Sequence, residues 1–191
     1  MKNFCKLGLA LCVIAGTTQT AFAAAQDLTT WNQAGVPVAF TGTAAAMLVT
    51  GNGQSSTSTA AFGGTEGTIL SKNFSLGAGS TVSFQWDFTA GDYSPFNDFA
   101  DVVIGGQVFT LSNVASVGDY GDSGWHSFSY TLGTAAAGPV EFVVSNDLDN
   151  GYSSALNISN VNVSAVPESS DMALMLAGMG LLGLVARRRK A

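Results

Sequence analysis

The chain is short of cysteine, histidine and internal positive charge, and each shortage removes a class of function. Cys5 and Cys12 are the only cysteines, both near the start. Export with removal of that segment leaves no disulfide, no thiol nucleophile and no Cys-based metal site. A fold without disulfides must then be held by core burial or by bound ions. His126 is the single histidine, which excludes a zinc site built on several histidines. Lys72 is the only Lys or Arg between residues 7 and 186, so the chain offers no basic surface to nucleic acid. Charged residues are 10% of the 191, against 47% apolar. That balance excludes a charge-rich disordered chain and a coiled coil. No run between residues 24 and 166 shows a long 3.6-residue period.

What charge exists is sorted by position. Lys2 and Lys6 open the chain, Arg187, Arg188, Arg189 and Lys190 close it, and all 13 acids lie between Asp27 and Asp171. Residues 1–23 read as a secretory signal peptide: a basic start, an apolar stretch from Leu7 to Ala15, then Ala21-Phe22-Ala23 as an A-x-A cleavage site. Cleavage after Ala23 is expected, with Ala25 as the alternative. The apolar stretch is too short for a membrane span of ~20 residues. A lipoprotein signal is excluded because Leu11 precedes Cys12.

The other end has its own order. Val166-Pro167-Glu168 leads to an apolar run from Met172 to Ala186 and then to the basic cluster. That run is expected to be a short transmembrane helix of about 22 Å, at 1.5 Å per residue. Arg187 to Lys190 would stay cytoplasmic and leave the preceding domain outside. Pro167 biases Val166 towards an extended backbone, the conformation that proteases and transpeptidases bind.

Val166-Pro167-Glu168, the Leu/Ala/Gly-rich span and the Arg cluster together resemble the PEP-CTERM sorting signal of Gram-negative bacteria. Ser169 stands where that family usually has a second proline. The resemblance covers residues 166–191. It implies an exported substrate of an exosortase-like membrane transpeptidase, carried out by the secretion machinery. It also implies delivery to the cell surface or to an extracellular polysaccharide matrix.

The middle, residues 24–165, reads as an antiparallel β-sandwich of jelly-roll type. Val82, Phe84, Trp86 and Phe88 alternate with polar residues, as do Phe128, Tyr130 and Leu132, and Val140, Phe142 and Val144. Val102 to Leu111 reads as two strands about a Gly105-Gly106 turn. The change of parity between Leu156/Ile158 and Val161/Val163 predicts a bulge. Ile69 to Leu76 and Val36 to Phe40 are weaker strands. Residues 51–61, low in complexity, read as a loop or weak edge. Eight or nine strands without intervening helices point to a sandwich. Asp92 to Ala100, Trp125 to Tyr130 and Ser145 to Asn150 also resemble segments of exported sandwich domains with sorting tails.

Eleven acids face one lysine between residues 24 and 166. Loop acids Asp92, Asp98, Asp147 and Asp149 are candidate calcium ligands, because Ca²⁺ takes 6–8 oxygens in flexible geometry. Asp147-Leu148-Asp149-Asn150-Gly151 lacks the full EF-hand spacing. The competing reading is that Asp and Asn populate turns for their own backbone reasons. A catalytic triad would have to use His126, which sits in a strand-like run. A pair of acids could serve a glycosidase. Tyr93, Phe96, Tyr120, Trp125 and Tyr152 lie in or beside loops, and Tyr93 and Trp125 are the candidate glycan platform. The competing reading is that large aromatics cap the core. The expected protein is a non-enzymatic surface or matrix component with a structural or adhesive role in the exopolysaccharide layer. A carbohydrate-binding module is the alternative and a glycan-cleaving enzyme a distant one. Intact mass of the protein from its native host should show residues 1–23 removed and the C-terminal signal processed. A full-length chain in the cytosol would overturn the reading of both ends.

Overall fold

The computed structural model describes residues 23–164, 166, 175–180 and 182. The strands are β1 (Ala24–Ala25), β2 (Asn32–Ala34), β3 (Ala39–Thr41), β4 (Ala45–Val49), β5 (Thr57–Ser58) and β6 (Glu66–Leu76). They continue with β7 (Thr81–Thr89), β8 (Phe99–Ile104), β9 (Gln107–Asn113), β10 (His126–Thr131), β11 (Ala136–Ser145) and β12 (Ala155–Ser164). One helical turn, α1 (Val114–Val117), follows β9. The first sheet has the order β10-β7-β12-β4-β3, with β1 also on β12; the second has β2-β6-β11-β8-β9, with β5 also on β6. All pairings are antiparallel. The domain is an all-β sandwich.

Alternation of side chains drives this arrangement. On β7, Val82, Phe84, Trp86 and Phe88 are buried while Gln85 is exposed. β11 supplies Val140, Phe142 and Val144 from the facing sheet, all at 0% exposure. Phe84 and Phe142 meet edge to face across the two layers, with centroids 4.8 Å apart at 90°. Trp31 packs on both Phe142 and Phe74 at 5.8 Å. One edge is closed where Phe109 of β9 meets Phe128 and Tyr130 of β10. Tyr130 completes that closure by donating its hydroxyl to Gln107 Oε1 at 2.6 Å.

The expected β8–β9 hairpin forms, with Gly105 and Gly106 at φ 60° and 80°, a left-handed pair that favours glycine. The expected bulge is present as a register shift between Ser159 and Asn162, with Asn160 at φ 54°. Other elements differ from expectation. Val36 to Phe40 yields only Ala39–Thr41. Ala45–Val49 forms a strand inside the first sheet, although its run of alanines carries little strand propensity. Tertiary contact decides it, because Ala46 and Leu48 enter the core. The segment 51–61 contains β5, paired with Glu66 and Gly67.

The strand ends sort into two poles. At one pole β4, β7 and β11 end and β6, β8 and β12 begin, as the pairings Ser145↔Phe99, Ser145↔Gly67, Ala155↔Thr89 and Ala155↔Val49 require. At the other, β12 ends beside the start of β7 and beside β1. There the Val166 amide donates to Ser80 Oγ at 2.9 Å. Among the described residues no helix is long and apolar enough to cross a membrane. Residues 175–180 are helical; the rest of the expected span 172–186, apart from 182, lies outside the described residues. So do the expected signal-peptide residues 1–22, Pro167, Glu168 and the cluster 187–190.

Phe142→Ala should lower stability by about 3–5 kcal/mol through lost burial and a cavity. Val108→Ala, at a position 52% exposed, should stay within about 0.5 kcal/mol. Urea denaturation of both variants checks the pair.

Candidate functional site

The pole where β7 ends carries the loops 90–98, 114–125 and 146–154. Backbone bonds lay the first two side by side: Ala90 donates to the Gly121 carbonyl (2.8 Å) and Tyr120 to the Asp92 carbonyl (2.9 Å). Asp92 Oδ1 accepts from the Tyr93 amide at 2.8 Å. One aspartate therefore fixes the backbones of both tyrosines. The third loop is tied through Ser154, whose Oγ accepts from the Gly91 amide (2.9 Å) and donates to Asp98 Oδ2 (2.6 Å). Asp98 Oδ1 accepts from the Asp147 amide at 3.1 Å, and the Asp98 carbonyl from Val114 at 3.0 Å. Gly91 is required at this crossing, because a Cβ there would lie 2.0 Å from the Ser153 carbonyl oxygen.

These ties gather aromatic rings. Tyr93 sits at the centre, 5.6 Å from Phe96, 5.7 Å from Tyr120 and 6.1 Å from Tyr152. Tyr120 and Tyr152 are each 58% exposed, and Tyr93 is 36% exposed. The two outer tyrosines hold left-handed backbones, φ 54° and 42°. That conformation costs on the order of 1–3 kcal/mol for a non-glycine residue. The sequence thus spends stability to present large rings to solvent. Beside them runs a groove of about 350 Å³ lined by Pro95, Phe96, Asn97, Val114, Gly118 and Asp119, among others. Its walls are held by Ser94 N donating to Asp119 Oδ1 (2.9 Å) and Ala115 N donating to Asn97 Oδ1 (2.8 Å).

Burial shapes the titration of the carboxylates beneath. Asp92 and Asp98 are both at 0% exposure. Burial pushes the Asp98 carboxyl up to about 6; bonds from Ser154 and Asp147 resist, and the charges of Asp92 and Asp149 add to the rise. Asp92 is raised by burial against the pull of the Tyr93 amide, with Asp149 adding. Asp101 is raised by burial, with Thr110 opposing. The Tyr120 phenol is raised by lost hydration, then by Tyr152, Tyr93, Asp92 and Asp119.

Of the expected calcium ligands, Asp92 and Asp149 are close enough to Asp98 for their charges to raise its carboxyl. Asp147 meets Asp98 through its backbone amide, and Asp149 Oδ1 accepts from Gly151 N at 3.0 Å. Among the described residues, no group of three or more Asp, Glu, His or Cys could hold a metal ion.

Trp125 is 58% exposed, but it precedes β10, where His126 pairs with Trp86. The ring contacts of Tyr93 are with Phe96, Tyr120 and Tyr152 instead. The expected Tyr93/Trp125 platform is thus not one ring cluster. The signal for Tyr120 and Tyr152 is their setting: Asp119-Tyr120-Gly121 and Gly151-Tyr152 place a ring in a turn, outside any apolar alternation. His126 stacks on Trp86 at 4.8 Å, and its Nε2 donates to the Ser123 carbonyl at 2.9 Å. Asp87 accepts from the Ser123 hydroxyl. Carboxylate and serine are paired directly, which is not the order that activates a serine nucleophile.

No family model matches the chain, and no curated protein does. Among solved structures it is similar to TmCBM61 in complex with β-1,4-galactotriose, at 15% identity, covering 74% of this chain and 92% of that one, with a TM-score of 0.39. It is also similar to the N-terminal cellulose-binding domain of Cellulomonas fimi β-1,4-glucanase C, at 16% identity, 72% and 90% coverage and a TM-score of 0.36. A third is the mannan binding module from Man5C, at 14% identity, 74% and 97% coverage and a TM-score of 0.32.

The raised Asp98 carboxyl has a pH consequence. Unfolded, an aspartate titrates near 3.9; folded, this one titrates near 6. Between those values the folded state holds the extra proton. Stability should therefore fall as pH rises from about 4 to about 6, by on the order of 2 kcal/mol, and level off above. Denaturation midpoints across that range should show a smaller fall in Asp98→Asn. An equal fall in both proteins would exclude Asp98 as the source.

Proposed function

We propose that this protein is a non-catalytic glycan-binding β-sandwich, delivered to the cell surface or matrix by the sorting signal that its C-terminus resembles. One observation carries the binding reading: Tyr93, Tyr120 and Tyr152 form a solvent-facing ring cluster at one pole, beside a groove. Planar apolar rings flanked by polar groups suit sugars, whose C–H faces stack while their hydroxyls hydrogen-bond. The tyrosine geometry supports this reading, and the distant structural likenesses are not needed for it.

The position of the face fits a tethered adhesive role. β12 begins beside the tyrosine pole and ends at the opposite pole, near Ser80, where Val166 of the sorting motif leaves. Ten residues of strand separate the two, about 33 Å at 3.3 Å per residue. A domain held by its C-terminal tail would thus present the tyrosines away from the anchor. Asp92 and Asp98 are buried beneath the rings, so neither carboxyl is placed to reach a glycosidic bond.

Titration calorimetry against a panel of polysaccharides tests the assignment. Tyr93→Ala and Tyr152→Ala should each weaken binding about 5- to 30-fold, the effect of losing ~1–2 kcal/mol of ring contact. Trp125→Ala should leave binding unchanged. Loss in Trp125→Ala with intact tyrosine variants would move the site to the β10 edge. Absence of binding across the panel would overturn the glycan reading.

A further inference from the structure

The tyrosine pole is unusual in charge as well as in rings. Asp119 lines the groove and is exposed. Asp149 and Asp147 are half-buried in the loop that presents Tyr152, and Asp149 acts on both Asp92 and Asp98. Asp92 Oδ2 is buried with no hydrogen-bond partner among the described residues. The one lysine of the domain is remote. Lys72 pairs opposite Val140, five strand positions from Gly67, where β6 enters this pole, which is about 16 Å. Its ammonium donates to Thr30 and lies over the Phe74 ring. Among the described residues no Lys or Arg therefore offsets the carboxylates around the rings, and the phenol of Tyr120 is itself raised partly by Tyr152, Tyr93, Asp92 and Asp119.

Such a face discriminates by charge. An anionic chain would bring carboxylates or sulfates against uncompensated acids. A chain with ammonium groups would gain twice. Cations are attracted to the faces of tyrosine rings, and the flanking carboxylates add Coulomb attraction.

We infer that the tyrosine face selects a glycan bearing free amino groups, with Tyr93, Tyr120 and Tyr152 stacking the sugar and Asp119 and Asp149 receiving its ammonium groups. This specificity rests on the glycan-binding reading of the same face, so the test separates the two. The probes are hexamers of glucosamine, of N-acetylglucosamine and of galacturonic acid, titrated into the exported protein at a pH where the amines are protonated. The glucosamine hexamer should bind at least about fivefold tighter than the N-acetylated one, and the uronate should bind most weakly. Raising salt should erase most of that preference, because exposed charges are screened within about 10 Å at 0.1 M. The exposed substitution Asp119→Asn keeps the side-chain oxygen that accepts from Ser94, and it should narrow the gap. Tyr93→Ala should weaken both amino and N-acetyl hexamers. Equal binding of the amino and N-acetyl hexamers, still lost in Tyr93→Ala, would overturn the charge selectivity and leave the glycan face standing. A preference unchanged by Asp119→Asn, Asp149→Asn and salt would overturn the assigned acids. No binding of any hexamer would overturn the amino-glycan selectivity, and the polysaccharide panel then decides the glycan reading on its own.

Discussion

With one lysine and no cysteine in the domain, cohesion depends on apolar contact between the inner faces of two sheets. Its centre is the edge-to-face pair Phe84–Phe142, joined by Trp31 and Phe128. Burying an aromatic side chain contributes a few kcal/mol, and no cross-link is present to supply it otherwise. Long strands carry this core, β7 mostly by alternation and β8 and the end of β11 by burial on both faces. β1, β2, β3 and β5 hold two or three residues each, while β6, β7, β11 and β12 hold nine to eleven.

A rigid core permits an irregular pole. Asp92, Asp98 and Ser154 join three loops with bonds of 2.6–3.1 Å, and they do so as buried groups. Burying carboxylates without a cation partner is costly, and the raised Asp98 is the physical record of that cost. The left-handed Tyr120 and Tyr152 add local strain. Both costs fall on residues that set the exposed rings, and the sheets below absorb them. The acids thus have two roles by depth. Buried, they tie loops; exposed, they set the sign of the field over the tyrosines.

Legibility in the sequence followed the same division. β7, β10, β11 and the β8–β9 hairpin could be read because a half-buried strand writes its face as period-two alternation. The bulge in β12 could be read because an extra residue shifts that parity. β4 could not, since Ala44-Ala45-Ala46 carries no preference and pairing with β12 and β3 makes it a strand. Loop acids could be identified as a set, but Asp92 and Asp98 as buried ties could not, because turn aspartates look alike until their partners are placed. Tyr93 and Trp125 looked equivalent for the same reason.

By itself, the sequence determined a thiol-free, cation-poor β domain between two segments that resemble export and sorting signals. Those properties are sums and periods along the chain, and need no partner at a distance. Which rings meet was decided only in three dimensions. Residues 93, 120 and 152 are far apart in sequence, and they converge because the loops after β7, α1 and β11 are tied together at one pole. Side chains brought together by strand pairing have no signature in local order.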